Sequence, residues 1–267
     1  MAKALVLTAA GINCDEELAD AFELAGAESE FVHLNTLIDR PELVDDYQLI
    51  GIPGGFSYGD AIAAGRIMAQ LMRQHLYSPL VRAIERGVPI FAPCNGFQIA
   101  AQMGLLPGPR PGEPWSGGAP TPTVSLADNQ SARFEDRWTR VRVPDDTVCV
   151  WTQSLRTDPE TSVLPSAHGE GRFIAGDDEL YDELRDRGQI ALMYADGDNF
   201  NGSARSIAGI CDPSGLMFGL MPHPERFTRW TQHPFWTRLE DDSTNNEPMG
   251  LQMFRNAVAH AESVVTA

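Results

Sequence analysis

A chain of 267 residues with 43% hydrophobic and 21% charged side chains can bury a sizeable core, and this balance excludes a chain disordered throughout. Its 20 basic and 37 acidic residues leave a net charge of −17, which repels phosphate backbones and anionic lipid, so neither nucleic acid nor a membrane is an expected partner. Four dispersed cysteines, Cys14, Cys94, Cys149 and Cys211, form no Cys-x-x-Cys pair, which argues against a disulfide framework and a structural zinc site.

The chain begins MAKALVLTAAG, a short apolar stretch that runs straight into GINCDEE (11–17) without the apolar core of a signal peptide. No run approaches membrane-spanning length, and a reducing cytoplasm is the expected location. KALVLTA (3–9) reads as a strand and Asp15 to Ala25 as a helix; SEFVHL (29–34) and YQLIGIP (47–53) read as further strands. Ile67, Leu71, Leu76, Leu80 and Ile84 recur at helical spacing through 62–86. VPIFAP (88–93) is a fourth strand and Asn95 to Met103 a helix. Strand and helix in alternation imply a mainly parallel sheet with helices on both faces.

Residues 107–122 hold six prolines and four glycines, too many for a helix or a central strand, and are expected as a surface excursion. RFEDRWTRVRV (133–143) and TVCVW (147–151) read as strands, and DDELYDELRDRG (177–188) as a helix stopped by glycine. QIALMYA (189–195), SIAGICD (206–212) and LMFGLMP (216–222) are three more strands, and Met249 to Val264 a final helix. The expectation is a single α/β domain over 1–267, with an antiparallel extension of the sheet and a long C-terminal segment, 227–267.

Cys94 ends a strand and begins a helix, with small Ala92 and Gly96 on either side, as a sharp strand-to-helix turn requires. Such a turn lifts the thiol out of the sheet and sets it by a helix N-terminus, which favours the nucleophilic thiolate. A free cysteine is equally a common core residue, so this stretch alone leaves packing and catalysis both open. A nucleophile needs a base and an orienting group. LMPHPER (220–226) offers His223 and Glu225 two residues apart in a proline-stiffened segment, although a lone His-x-Glu is more often a solvated turn. In GIPGGFSYGD (51–60), Pro53-Gly54-Gly55 presents bare backbone N–H groups after the third strand, and with the N–H of Asn95 these can hold an oxyanion. Tight-turn glycines are the plainer alternative, and no phosphate-binding G-x-x-x-x-G-K-[ST] occurs.

GINCDEE (11–17), GGFSYGD (54–60), PCNGFQ (93–98), AHGEGRF (167–173) and NGSARSIAGI…GLMPHPER (201–226) together resemble the glutaminase components of phosphoribosylformylglycinamidine synthase, within the class I, triad-type glutamine amidotransferases. The resemblance implies a flavodoxin-like fold and hydrolysis of L-glutamine, with the ammonia passed on for de novo purine synthesis. It implies that Cys94 attacks the side-chain amide, His223 carries the proton and Glu225 orients His223. Gly55 and Asn95 would give the oxyanion N–H groups, Gly54 and Phe56 would line the loop beside the glutamine, and Gln98 would support the pocket. The implied partners are a synthetase subunit, which would hold ATP and magnesium, and a small bridging subunit; this chain would need no cofactor and no metal.

Three features depart from the pattern or lie outside it. Ala61-Ile62-Ala63-Ala64-Gly65 stands where relatives often have a larger residue and an Arg-Cys pair. The aromatics Phe227, Trp230, Phe235 and Trp236 are either a partner-docking patch or a cover for the sheet edge. His168 and Glu170 are expected in a flexible turn at the mouth of the site that meets the synthetase, and Cys14, Cys149 and Cys211 as packing residues. The rival readings are a cysteine peptidase or DJ-1-like hydrolase, and a non-catalytic amidotransferase-like regulatory module.

Overall fold

The structure, a computed structural model, describes residues 1–110, 112–240 and 244–265; Pro111 of the expected excursion, and 241–243 and 266–267 of the C-terminal segment, lie outside the described residues. The first half alternates strand and helix: β1 (Lys3–Thr8), α1 (Asp15–Ala25), β2 (Glu28–His33), α2 (Leu34–Asp39), β3 (Leu49–Gly51), α3 (Arg66–His75), α4 (Tyr77–Glu85), β4 (Ile90–Pro93) and α5 (Asn95–Met103). The second half is richer in strands: β5 (Val124–Ala127), β6 (Glu135–Arg142), β7 (Val163–His168), β8 (Arg172–Ala175), α6 (Asp178–Asp186), β9 (Ile190–Tyr194), β10 (Ile207–Cys211), β11 (Met217–Leu220) and α7 (Met249–Val265).

Nine strands form one sheet in the order β2-β1-β3-β4-β11-β10-β9-β6-β7, and β5 pairs with β8 in a small separate sheet. The run from β2 to β11 is parallel, and every later pair is antiparallel. Side chains alternate across the parallel strands, so each feeds two cores. Leu5 and Leu7 of β1 face Met68, Met72, Leu80, Ile84 and Phe97 from α3, α4 and α5. Ala4 and Val6 face the other way, toward Phe22 of α1 and Phe254 of α7. There Phe91 packs on Trp151 and Phe254 with ring centres 4.8 and 4.9 Å apart.

Three expectations are corrected. The helix expected over 62–86 is a loop through Gly65 and then two helices that break at Leu76. Pro79 explains the break, because it has no N–H for the carbonyl of His75 and its ring would collide there. TVCVW (147–151) is not a strand: Val148 donates to Gly188 O at 2.9 Å and Val150 to Gly215 O at 3.0 Å, so its backbone bonds go to two turns. Its alternation reflects burial alone, with Cys149 and Trp151 inside. The 167–173 segment spans the end of β7 and the start of β8 rather than one free turn. Pro165 hid β7 from the sequence pattern; it is tolerated because β7 is the edge strand.

The excursion is strapped down. Arg73 donates to Ala119 O at 2.7 Å, and the hydroxyls of Tyr77 and Ser116 meet at 3.1 Å. The aromatic tail divides. Phe227 is buried against Trp138, Trp230 and His233, whereas Phe235 and Trp236 face outward.

At the start of α5 the helix lies directly on β3, and a Cβ at Gly96 would stand 2.0 Å from the carbonyl oxygen of Ile52. Gly96→Ala is therefore expected to cost about 1–3 kcal/mol by overpacking, read as a lower urea midpoint at unchanged m. A midpoint equal to wild type would show that α5 can lift off β3 freely.

Candidate active site

β3, β4 and β11 are neighbours in the sheet, and the three loops that carry the expected site residues all leave their C-terminal ends. This is where ligands bind in open parallel α/β sheets. The Cys94 N–H donates to Leu220 O at 2.7 Å, so the thiol-bearing residue is tied to the strand that leads to His223. Cys94 itself has φ 51° and ψ −108°, a left-handed conformation that costs a non-glycine residue of the order of 1–3 kcal/mol. The tight packing at Gly96 and the strand bonds on either side hold it there.

His223 and Glu225 are both buried, and His223 Nδ1 donates to Glu225 Oε1 at 2.6 Å, the short length of a charge-assisted bond. The His223 backbone N–H is fixed on Pro165 O at 2.7 Å. Burial pushes the imidazole down, but the charges of Glu225 and Cys94 outweigh it and hold His223 up at about 10. The Cys94 thiol donates to Ala167 O at 3.7 Å. Helix α7 abuts this segment so closely that a Cβ at Gly250 would lie 2.2 Å from Pro224 O and 2.3 Å from Phe227 O.

Gly54 and Gly55 are glycines for steric reasons. A Cβ on Gly54 would stand 2.9 Å from His223 Cε1 and 3.5 Å from Cys94 Cβ. Gly55 has φ 140°, and its Cβ would meet the backbone of residues 11–13 at 2.8–2.9 Å. That loop after β1 braces the 53–56 loop: Phe56 N–H donates to Gly11 O at 2.8 Å and Tyr58 N–H to Ala10 O at 2.7 Å. Asn95 opens α5, where a first-turn N–H has no helical acceptor. Its side chain accepts from Ser57 N–H at 3.3 Å and donates to Gln98 Oε1 at 2.8 Å, while Gln98 donates to Glu170 O.

In front of Cys94 lies a cavity of about 120 Å³ bordered by Gly55, Phe56 and Gln98, and by Asp60, His168 and Glu170. Phe56 and Phe134 flank it with ring centres 6.2 Å apart. Gly54, Asn95, His223 and Glu225 form its backing rather than its wall. A larger cleft of about 440 Å³ between α3 and the β5–β8 sheet is bordered by Arg66 and Arg73 and has no cysteine or histidine in its wall.

Two neighbours differ from expectation. Cys14 is no mere packing residue: Arg226 Nη2 donates to its sulfur at 3.0 Å, and its sulfur lies within 4.8 Å of the ligand atoms of His223 and Glu225. Burial and then the Glu225 charge push the Cys14 thiol up, so it stays protonated. Cys14, His223 and Glu225 are a donor set that a metal could use, but the Arg226 charge beside them opposes a cation. His168 lies at the site as AHGEGRF led one to expect, but it is 3% exposed and part of the cavity wall rather than of a surface loop. No local pattern signals the role of Cys14, because the loop from β1 reaches the site only through the sheet order.

A strained cysteine at a strand-to-helix turn, a buried His–Glu pair on the next strand and a glycine loop beside both define an amidotransferase-type cysteine hydrolase. In agreement, a family profile described as the CobB/CobQ-like glutamine amidotransferase domain matches residues 1–261, and the chain belongs to that family. Within it, the chain is 40% identical over 272 positions, 98% of each chain, to the phosphoribosylformylglycinamidine synthase subunit PurQ of Dehalococcoides mccartyi. The protein of the same name from Methanococcus maripaludis is 38% identical over 277 positions, 97% of each chain. A solved structure described as PurLQS from Thermotoga maritima superposes with a TM-score of 0.69 at 32% identity, covering 97% of this chain and 99% of that one. Membership of an enzyme family sets aside both rivals, the DJ-1-like hydrolase and the non-catalytic module. Among the described residues no helix is long and apolar enough to cross a membrane.

Because folding raises the proton affinity of His223 above its ordinary value of 6.5, its contribution to stability is complete below that value and is lost as pH rises through about 10. The Tm advantage of wild type over His223→Gln is expected to shrink across this window. A difference that stays constant between the two pH values would remove the buried ion pair from the account.

Proposed function

We propose that Cys94 is the nucleophile of a glutaminase, with His223 as its proton carrier and Glu225 as the group that orients His223. The chain is the glutaminase subunit of phosphoribosylformylglycinamidine synthase and acts in de novo purine synthesis. The observation that carries the assignment of roles is the buried His223 ring, bonded to Glu225 at 2.6 Å and set beside Cys94 at the ends of neighbouring strands.

In this reading the Cys94 thiolate adds to the side-chain carbonyl carbon of L-glutamine while His223 holds the thiol proton. The carbonyl oxygen takes the negative charge and is held by the backbone N–H groups of Gly55 and Asn95, each such donor being worth about 10²–10³ in rate. His223 then protonates the leaving nitrogen, the C–N bond breaks, and ammonia departs from a γ-glutamyl thioester. Water, deprotonated by His223, adds to the thioester; the C–S bond breaks, glutamate leaves and the thiol recovers its proton. Glu225 keeps the imidazole in the tautomer this shuttle needs and offsets its charge in a buried site.

The ammonia passes to a synthetase subunit, and a small bridging subunit completes the complex. ATP and magnesium belong to that synthetase, and this chain uses neither cofactor nor metal. The cytoplasm is the matching location, since purine synthesis from glutamine draws on cytoplasmic pools. The full-length match to PurQ proteins and the likeness to a chain of a PurLQS structure support this assembly.

In the assembled enzyme Cys94→Ala is expected to lower glutamine-dependent synthesis by at least about a thousandfold. Synthesis supplied with ammonia should survive in the same sample. Glutaminase activity retained by the variant would assign the nucleophile elsewhere.

A further inference from the structure

Three of the side chains that border the cavity before Cys94 carry hydrogen-bond acceptors. Asp60, in the loop after β3, and Glu170, between β7 and β8, both border it. The Glu170 carboxylate accepts the Ala64 N–H at 3.2 Å. The Oδ1 of Asp60 is buried with no partner. Among the described residues no ion pair reaches either carboxylate. Burial and the neighbouring Glu170 charge push the Asp60 carboxyl up, as expected for two acids sharing a pocket without a cation.

His168 adds a third acceptor, and its neighbours determine its tautomer. Asn129 donates from Nδ2 to the carbonyls of Arg133 at 2.9 Å and His168 at 2.8 Å, so its Oδ1 is the accepting end. That oxygen takes the Gly171 N–H at 3.2 Å and faces His168 Nδ1 at 3.0 Å. His168 therefore carries its proton on Nδ1, and Nε2, buried and unpartnered, is a bare acceptor. Burial and the charge of His223 hold His168 down at about 3, so it stays neutral. The Gln98 amide nitrogen, the obvious donor nearby, is already engaged by Glu170 O.

We propose that Asp60 and Glu170, with the neutral Nε2 of His168 beside them, form the subsite that receives the α-ammonium of the glutamine substrate. An ammonium brings one positive charge and three N–H donors to a wall with two carboxylates and unpaired acceptors. The side-chain amide then points to Cys94 and the Gly55–Asn95 donors, so the two ends of the substrate are read by opposite chemistry. The assignment rests on glutamine being the substrate of Cys94. It makes the enzyme selective for α-amino acid amides over glutaramate (5-amino-5-oxopentanoate), which has the same amide and lacks the ammonium.

The test uses the full chain assembled with its synthetase partner, with L-glutamine, glutaramate and ammonia compared as nitrogen donors. Asp60→Asn is expected to raise KM for L-glutamine about tenfold to a hundredfold, the size of a lost charge-assisted bond, with kcat and the glutaramate parameters little changed. Glu170→Gln, which keeps an acceptor for Ala64 N–H, should move the same way. Ammonia-supported synthesis reports folding and assembly; if Asp60→Asn fails that control, Glu170→Gln decides. An undiminished preference for L-glutamine over glutaramate in a variant that passes the control overturns the subsite. Lack of glutamine hydrolysis by the wild-type complex would instead overturn the Cys94 reading beneath it.

Discussion

The site depends on one contact: the first turn of α5 pressed against the end of β3. With only a hydrogen at Gly96 the helix comes close enough to trap Cys94 between strand and helix, in a conformation a free chain would leave. A left-handed cysteine is costly, and it persists because β4 is bonded on both sides, to β3 and to β11. Nothing in the chemistry of the thiol holds this geometry; the packing of a helix on a sheet does.

Around that contact, charge is arranged with little tolerance. A buried carboxylate and a buried imidazole stabilise each other at 2.6 Å, and removing either leaves the other as an unpaired charge in a dry environment. Arg226 sits just outside, bonded to the Cys14 sulfur and paired with Glu17 at 3.3 Å, so α1 and the loop before it are tied to the His–Glu segment. The same interior makes His168 neutral, first through burial and then through the charge of His223. Burial lowers the proton affinity of both histidines, and only His223 has a carboxylate bonded to it that reverses the effect.

Much of this was legible in the residues themselves. Asp15–Ala25 and Asn95–Met103 emerged as helices with the expected ends, because each is bounded by a short-range signal: Gly26 and Gly104 both close their helices in the left-handed region. The mainly parallel sheet followed from alternation alone. The strands that escaped detection are short or carry proline, and TVCVW was mistaken for a strand because burial can alternate without a ladder. Cys94, His223, Glu225 and the glycine pair stood out because each occupies a motif a few residues long. Cys14 and Asp60 did not, since their meaning comes from which loops share an end of the sheet, and no window of sequence records that; His168 stood out, but not its burial in the wall.

The close approach of α7 to the His223–Glu225 segment has a consequence for the order in which the protein becomes reactive. Cys94 and the glycine loop precede in the chain the elements that complete them. Leu220 of β11, which takes the Cys94 N–H, follows by more than a hundred residues, and Gly250, against the carbonyls of Pro224 and Phe227, belongs to α7, later still. A growing chain therefore exposes a cysteine with no proton carrier for most of its synthesis. Chemical competence arrives only when the C-terminal helix docks, so a polypeptide cut short by premature termination is inert rather than a source of free ammonia.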